Sequence, residues 1–219
     1  MKEEAPVPEM MQIARVRGRP RVAGEELNRR QQSVLMATGR LLAGRRSSDI
    51  TIDQVIAEAG TSKPTFYRWF PGGMEQVLDM LISQANASLM ASILVAIGRS
   101  HTAEDRIRAG AKAYFDWGIA MGPVAQGIYR EGFYEGSVPY RYRRQTVGAV
   151  ITLLEQQAIS LGMTSISPRA IETLVSWIEA AGAVLLRDYP VSREAAEQQC
   201  RMTSEMVIAM LQVFRSNAL

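Results

Sequence analysis

From residue 25 onward, apolar residues recur every three or four positions, the spacing of one face of an α-helix. Leu27, Val34, Leu35, Thr38, Leu41 and Leu42 define a first helix that stops near the breakers between Gly44 and Ser48. A second, shorter helix follows: Thr51 is a good N-cap, Ile52, Val55, Ile56 and Ala59 form its apolar face, and Gly60 ends it. Ser62 then opens a third helix, in which Pro64 is tolerated because first-turn amides have no acceptor inside the helix. That helix ends at the Pro-Gly-Gly of 71–73, and further helices are predicted at roughly 74–98, 103–121, 123–131, 139–161, 168–188 and 193–216. No stretch alternates with period two, so the pattern supports an all-α fold alone. Residues 1–24, rich in Pro, Gly, Glu and Arg, carry too little apolar surface to offset chain ordering and read as a flexible basic arm.

Composition narrows the function classes. A chain of 219 residues that is 47% hydrophobic has material for a substantial core. The net charge is only +3, but residues 15–73 hold eleven Lys or Arg against five Asp or Glu, leaving the remainder at −3. A regional basic excess points to an anionic partner at one end. The single cysteine, Cys200, excludes an internal disulfide framework and fits a reducing compartment. The acidic start lacks the apolar stretch of a signal peptide, and no segment reaches the ~18 uninterrupted apolar residues of a membrane span, so a soluble cytoplasmic protein without a membrane partner is expected. The only histidine, His101, sits in a loop, and neither it nor Cys200 has a partner of matching type nearby. The sequence therefore predicts no enzyme, no cofactor and no metal site.

The stretch SKPTFYRWF, 62–70, mixes four aromatic residues with two cations. Helical spacing resolves the mixture, because Phe66 and Phe70 point inward together while Lys63, Pro64, Tyr67 and Arg68 gather on the outer side. The second helix, its turn and this third helix make a helix-turn-helix, which offers its second helix to the major groove of DNA. Lys and Arg can donate to guanine edges and phosphates, Tyr can reach a phosphate, and Pro64 or the Thr65 methyl can touch a thymine methyl. The other reading is a surface helix whose cations are merely solvated.

The segment TIDQVIAEAGTSKPTFYRWFPGGMEQVL, 51–78, resembles the amino-terminal DNA-binding segment of the TetR (tetracycline repressor) family of bacterial regulators. The resemblance rests on Thr51, the Ala-Glu-Ala-Gly before the turn, Ser62, Thr65, Tyr67 and Phe70, and a further helix entered at Glu75. It implies that Lys63, Pro64, Tyr67 and Arg68 face bases or the adjacent backbone, and that Thr51, Thr65 and Trp69 contact phosphates. Two positions depart from the family pattern: Ile56 where a small residue is common, and Met74 where a lysine often holds a phosphate. The implied organisation is a DNA-binding domain over 25–73 and an effector-binding and dimerisation domain over 74–219.

Three further features bear on partners. Arg17-Gly18-Arg19-Pro20 resembles an AT-hook core, either entering the minor groove of A·T-rich flanks or serving as a nonspecific basic tail. Aromatic and Met positions concentrate over 103–189, reading as core or as a pocket between helices. The resemblance favours a pocket for a small apolar or aromatic effector, with Tyr114, Trp117, Met121, Tyr129, Phe133 and Trp177 as candidate lining residues. Asp116, Arg130, Glu131 and Glu155 read as polar contacts to it or as salt-bridged surface groups. Finally, Ile171, Leu174, Val175, Ile178, Ala181 and Leu185, then Met202, Met206, Ala209, Met210 and Val213, run as apolar stripes on the last two helices. They read as packing within the chain or, as the resemblance implies, as a two-fold four-helix interface. The expected function is an effector-responsive, homodimeric repressor on a double-stranded operator with palindromic half-sites. The rivals are an architectural DNA binder without effector and a helical enzyme acting on the apolar ligand.

Overall fold

The computed structural model describes residues 21–163 and 167–216, with side chains placed for 29–163 and 167–214. The paired arginines Arg17 and Arg19 lie outside the described residues. Among the described residues every regular element is helical: α1 (Arg21–Gly44), α2 (Ile52–Ala59), α3 (Lys63–Trp69), α4 (Gly73–Gly98), α5 (Ala103–Met121), α6 (Pro123–Gly132), α7 (Val138–Ser160), α8 (Pro168–Arg187) and α9 (Arg193–Ser216). The all-α fold is therefore as the periodicity predicts. Helix α1 begins one turn before the Glu25 start that the apolar spacing suggests, and the breakers after it hold a short 3-10 turn, Ser47–Asp49, which the pattern does not reveal.

Helices α1 to α3 pack around Val34, Leu35, Leu42, Val55, Phe66 and Phe70, all at most 1% exposed. Phe66 and Phe70 lie inward together, with ring centroids 5.5 Å apart. This core does not stop at residue 73. It runs on through Val77, Leu81 and Ile82 of α4 to Tyr114, Phe115 and Trp117 of α5 and Ile128 of α6. A second cluster joins Val147 and Leu154 of α7, Ile171, Leu174 and Val175 of α8, and Val207, Ile208 and Leu211 of α9.

Helix α4 has the length and composition to cross a bilayer, the one helix among the described residues that does. Here it packs on α1, α5 and α7, burying the face that runs from Val77 to Ile93. Helix α6 lies against α1 so closely that a Cβ on Gly127 would stand 2.5 Å from the Leu42 carbonyl oxygen. Only glycine permits that approach.

Candidate DNA-binding head and ligand cavity

The helix-turn-helix is held by local chemistry. Thr51 closes a capping box: its Oγ1 accepts from the Gln54 amide at 3.3 Å, and its own amide donates to Gln54 Oε1 at 3.0 Å. Gly60 ends α2 at φ +63°, a left-handed conformation that side chains disfavour, and the Thr61 amide closes onto the Ile56 carbonyl at 3.1 Å. Ser62 occupies the N-cap of α3, but its hydroxyl donates to Thr65 Oγ1 at 2.9 Å rather than capping an amide. Arg40 of α1 bonds Glu58 of α2 at 2.7 Å on the surface, linking the two helices.

The result is a helix with two unlike faces. Phe66, Trp69 and Phe70 are buried, whereas Lys63, Pro64, Tyr67 and Arg68 are exposed together, as the spacing predicts. Thr51 is exposed and Thr65 half-buried beside this face. Trp69, which the resemblance assigns to a phosphate, keeps only 9% of its surface and packs in the core. Lys63 Nζ donates to Asp53 Oδ1 at 3.0 Å, and that hydrogen bond raises its pKa above the ordinary lysine value. An incoming phosphate would have to compete with Asp53 for this cation. Met74 and Ile56 are both half-buried against the head's core, so at these two positions apolar packing replaces the family's usual residue types.

Inside the bundle, α4 to α9 enclose a cavity of about 130 Å³. Its walls are largely aliphatic, from Leu89 and Ile93 of α4 to Val147 and Leu154 of α7 and Ile178 of α8. Four of the six sequence candidates meet there: Tyr114, Trp117, Tyr129 and Phe133. The other two do not. Met121 shares the face of Tyr114 and Trp117 but lies one turn beyond them at the end of α5, beside the first core cluster, whereas the position of Trp177 on α8 turns it from the lining face toward the second. Phe133, 57% exposed, sits where the cavity meets solvent, and the Arg143 guanidinium lies 4.1 Å above its ring.

Polar lining residues were not legible in the sequence. Arg143 on α7 and Glu179 on α8 form a two-point ion pair at 2.9 and 2.5 Å, joining residues 36 positions apart. Burial raises the Glu179 pKa, with Arg143 acting in the opposite direction. Tyr114 and Tyr129 also have raised pKa values, chiefly from burial, so both phenols stay protonated. The Tyr114 and Tyr129 hydroxyls are buried with no polar partner but each other, Trp117 Nε1 and Gln157 Oε1 are buried without a hydrogen-bond partner, and all four residues line the cavity.

None of the four charged candidates lines the cavity. Asp116 pairs with Lys112 at 2.6 Å on the surface, and Glu155 is half-buried elsewhere on α7. Arg130 and Glu131 bind a different target, the end of α1. Arg130 Nη2 donates to the Leu42 carbonyl at 2.7 Å and also to the Arg45 carbonyl. Glu131, only 2% exposed, accepts from the Ser47 hydroxyl at 2.5 Å and the Ser47 amide at 3.2 Å. This clasp belongs to neither reading the sequence allows, since its partners lie about 85 residues away.

The last two helices divide the expected stripes. Ile171, Leu174, Val175 and Ala181 of α8 are buried within the chain, and Ile178 and Leu185 half-buried. On α9, Met202, Met206, Ala209, Met210 and Val213 are exposed, as are Ala180, Ala183 and Val184 of α8. His101 is exposed and Cys200 half-buried, its thiol pKa pushed up by burial. No group of three His, Cys, Asp or Glu side chains converges among the described residues.

No family model matches the sequence. The chain is 31% identical over 105 residues to the HTH-type transcriptional regulator EthR of Mycobacterium tuberculosis and to that of Mycobacterium bovis, covering 48% of this chain and 47% of each relative. It thus spans about half the length of the curated relatives it matches. Solved structures are similar over more of the chain. A TetR-family transcriptional regulator from Streptomyces coelicolor aligns with a TM-score of 0.63 at 20% identity, covering 87% of this chain and 83% of that one. The fatty acid degradation regulator FadR from Bacillus halodurans aligns with a TM-score of 0.67 at 12% identity, covering 81% and 97%. The chain has the all-α fold of TetR-family regulators.

Proposed function

We propose that the protein is a TetR-like transcriptional repressor, binding a two-fold operator as a homodimer and released from it by a small apolar or aromatic effector. The carrying observation is the division of labour on α6: Tyr129 lines the cavity, while the next two residues, Arg130 and Glu131, clasp the end of α1 and the 3-10 turn. A ligand that prefers another setting of α6 would therefore pull on the head, by no more than its differential affinity for the two settings.

In this reading 25–73 is the DNA-binding domain and 74–219 the effector and dimer domain. Lys63, Pro64, Tyr67 and Arg68 face the major groove, Thr51, Thr65 and the residual edge of Trp69 meet phosphates, and Arg17 and Arg19 reach A·T-rich flanks. The second subunit would cover the exposed apolar face of α9 with Ala180, Ala183 and Val184 of α8, whose small side chains allow helices to approach closely. The reading assigns the protein to the cytoplasm, without membrane partner, cofactor or catalytic step.

Selection of duplexes from a random-sequence pool should return a palindrome whose half-sites are centred about one helical turn apart, ~34 Å. Titration of that duplex with and without ethylbenzene, a ring-sized apolar probe, should then show weaker binding in its presence. Failure to enrich any sequence rejects the regulator, and enrichment without any probe effect rejects the effector. Met206→Asp would bury an unpaired charge at the dimer face and should give folded monomers in sedimentation. A wild-type chain that is monomeric at micromolar concentration rejects the homodimer.

A further inference from the structure

We infer that the cavity takes an uncharged ligand with one hydrogen-bond acceptor, of the ketone or ester class, on an otherwise apolar body about the size of one ring. The inference rests on the reading of the cavity as an effector site and specifies its chemistry.

The wall formed by α5 and α6 carries three buried donors with no partner outside their own group: Trp117 Nε1, and the Tyr114 and Tyr129 hydroxyls, which have only each other. Their rings are contiguous, with centroids 6.0 Å apart for Tyr114 and Tyr129 and 6.4 Å for Trp117 and Tyr129. One phenol can give its hydrogen to the other, which leaves the second phenol's O–H and the indole N–H unpaired, each at about the cost of a lost hydrogen bond. Room has nevertheless been left for the oxygens. The Tyr114 phenol lies in a notch at Gly182, where a Cβ would come within 2.7 Å of its oxygen, and the Tyr129 oxygen lies 3.5 Å from the corresponding point on Gly118.

The type of the missing group follows from the donors. An indole N–H can only donate, and of two phenols that share one hydrogen bond one keeps a hydrogen to give, so what both of these groups lack is an acceptor. Charge is disfavoured by what surrounds it. Arg143 and Glu179 already satisfy each other at two points, and an anion drawing Arg143 away would strand a buried carboxylate. A cation drawing Glu179 away would strand the guanidinium. Arg106, the remaining cation on the lining, donates its Nε to the Ser100 carbonyl at 3.3 Å. Size follows from the volume: about 130 Å³ is comparable with the engineered apolar cavity of roughly 150 Å³ in another protein that admits benzene.

Three probes of one size separate the possibilities: acetophenone, ethylbenzene and benzoate, titrated calorimetrically into the full-length protein. Acetophenone should bind about tenfold tighter than ethylbenzene, and benzoate more weakly than either. Tyr114→Phe and Tyr129→Phe should each cut the ketone preference to about threefold, and the double variant should abolish it. Ethylbenzene binding reports an intact cavity in each variant, and the single variants decide should the double one lose it.

Equal affinity for ketone and hydrocarbon, or a preference that survives the double variant, overturns the inference and leaves the effector reading standing. Benzoate binding tightest also overturns it, transferring recognition to Arg143 or Arg106. Binding of no probe overturns the inference and the effector reading together.

Discussion

The head and the cavity use polar atoms in opposite ways. In the helix-turn-helix, the polar groups near the turn meet one another: Thr51 with Gln54, Ser62 with Thr65, Arg40 with Glu58, Lys63 with Asp53. Around the cavity, Trp117 Nε1 and Gln157 Oε1 meet nothing and the Tyr114 and Tyr129 hydroxyls meet only each other, and among the described residues the head contributes no such buried atom. Under the proposed function, a head whose polar groups pair with one another would present a preset surface to a duplex. An unsatisfied cavity is less stable empty than filled, so a bound ligand can shift its equilibrium. Between them lies the α1–α6 seam, where Gly127 and the Arg130–Glu131 clasp keep the two regions in mechanical contact.

The largest expected effect tests the rigidity of the head. Phe66→Ala removes a fully buried ring and should lower unfolding free energy by about 3–5 kcal/mol in a urea titration. A loss below 1 kcal/mol would mean the head's core is looser than its packing indicates. Next comes the seam. Gly127→Ala places a methyl against the Leu42 carbonyl and should cost about 1–3 kcal/mol, since backbone rather than a flexible side chain must move. A neutral outcome would show that α6 slides freely on α1, removing the lever assigned to it.

Two smaller changes contrast the regions. Thr51→Ala deletes an oxygen that caps α2 and should destabilise the ligand-free protein by about 1 kcal/mol. Tyr114→Phe deletes an oxygen whose sole partner is the Tyr129 hydroxyl and should leave stability unchanged to within about 1 kcal/mol. Thermal and urea unfolding of both variants, without ligand, measures the pair. If both lose stability equally, the Tyr114–Tyr129 pair is worth as much as the Thr51 cap and the contrast between the regions fails.

The sequence by itself determined what depends on near neighbours along the chain. Caps at Thr51 and Gly60, the inward pair Phe66 and Phe70, and the outward set Lys63, Pro64, Tyr67 and Arg68 each lie within ten residues of the groups they act with, a range over which helical periodicity and turn chemistry are decisive. The later helices were legible for the same reason, down to α5 at Ala103–Met121. Tertiary structure decided whatever depends on which helix lies opposite. It placed Tyr114, Trp117, Tyr129 and Phe133 at the cavity but Met121 and Trp177 outside it, buried most of the α8 stripe while leaving the α9 methionines exposed, and paired Arg143 with Glu179. It also converted Glu131 from an apparent surface acid into a buried clasp on Ser47, 84 residues distant. Periodicity fixes which residues share a face. The partner of that face is fixed by helix crossing, through close contacts such as Gly127 on Leu42, and that information is spread over the whole chain.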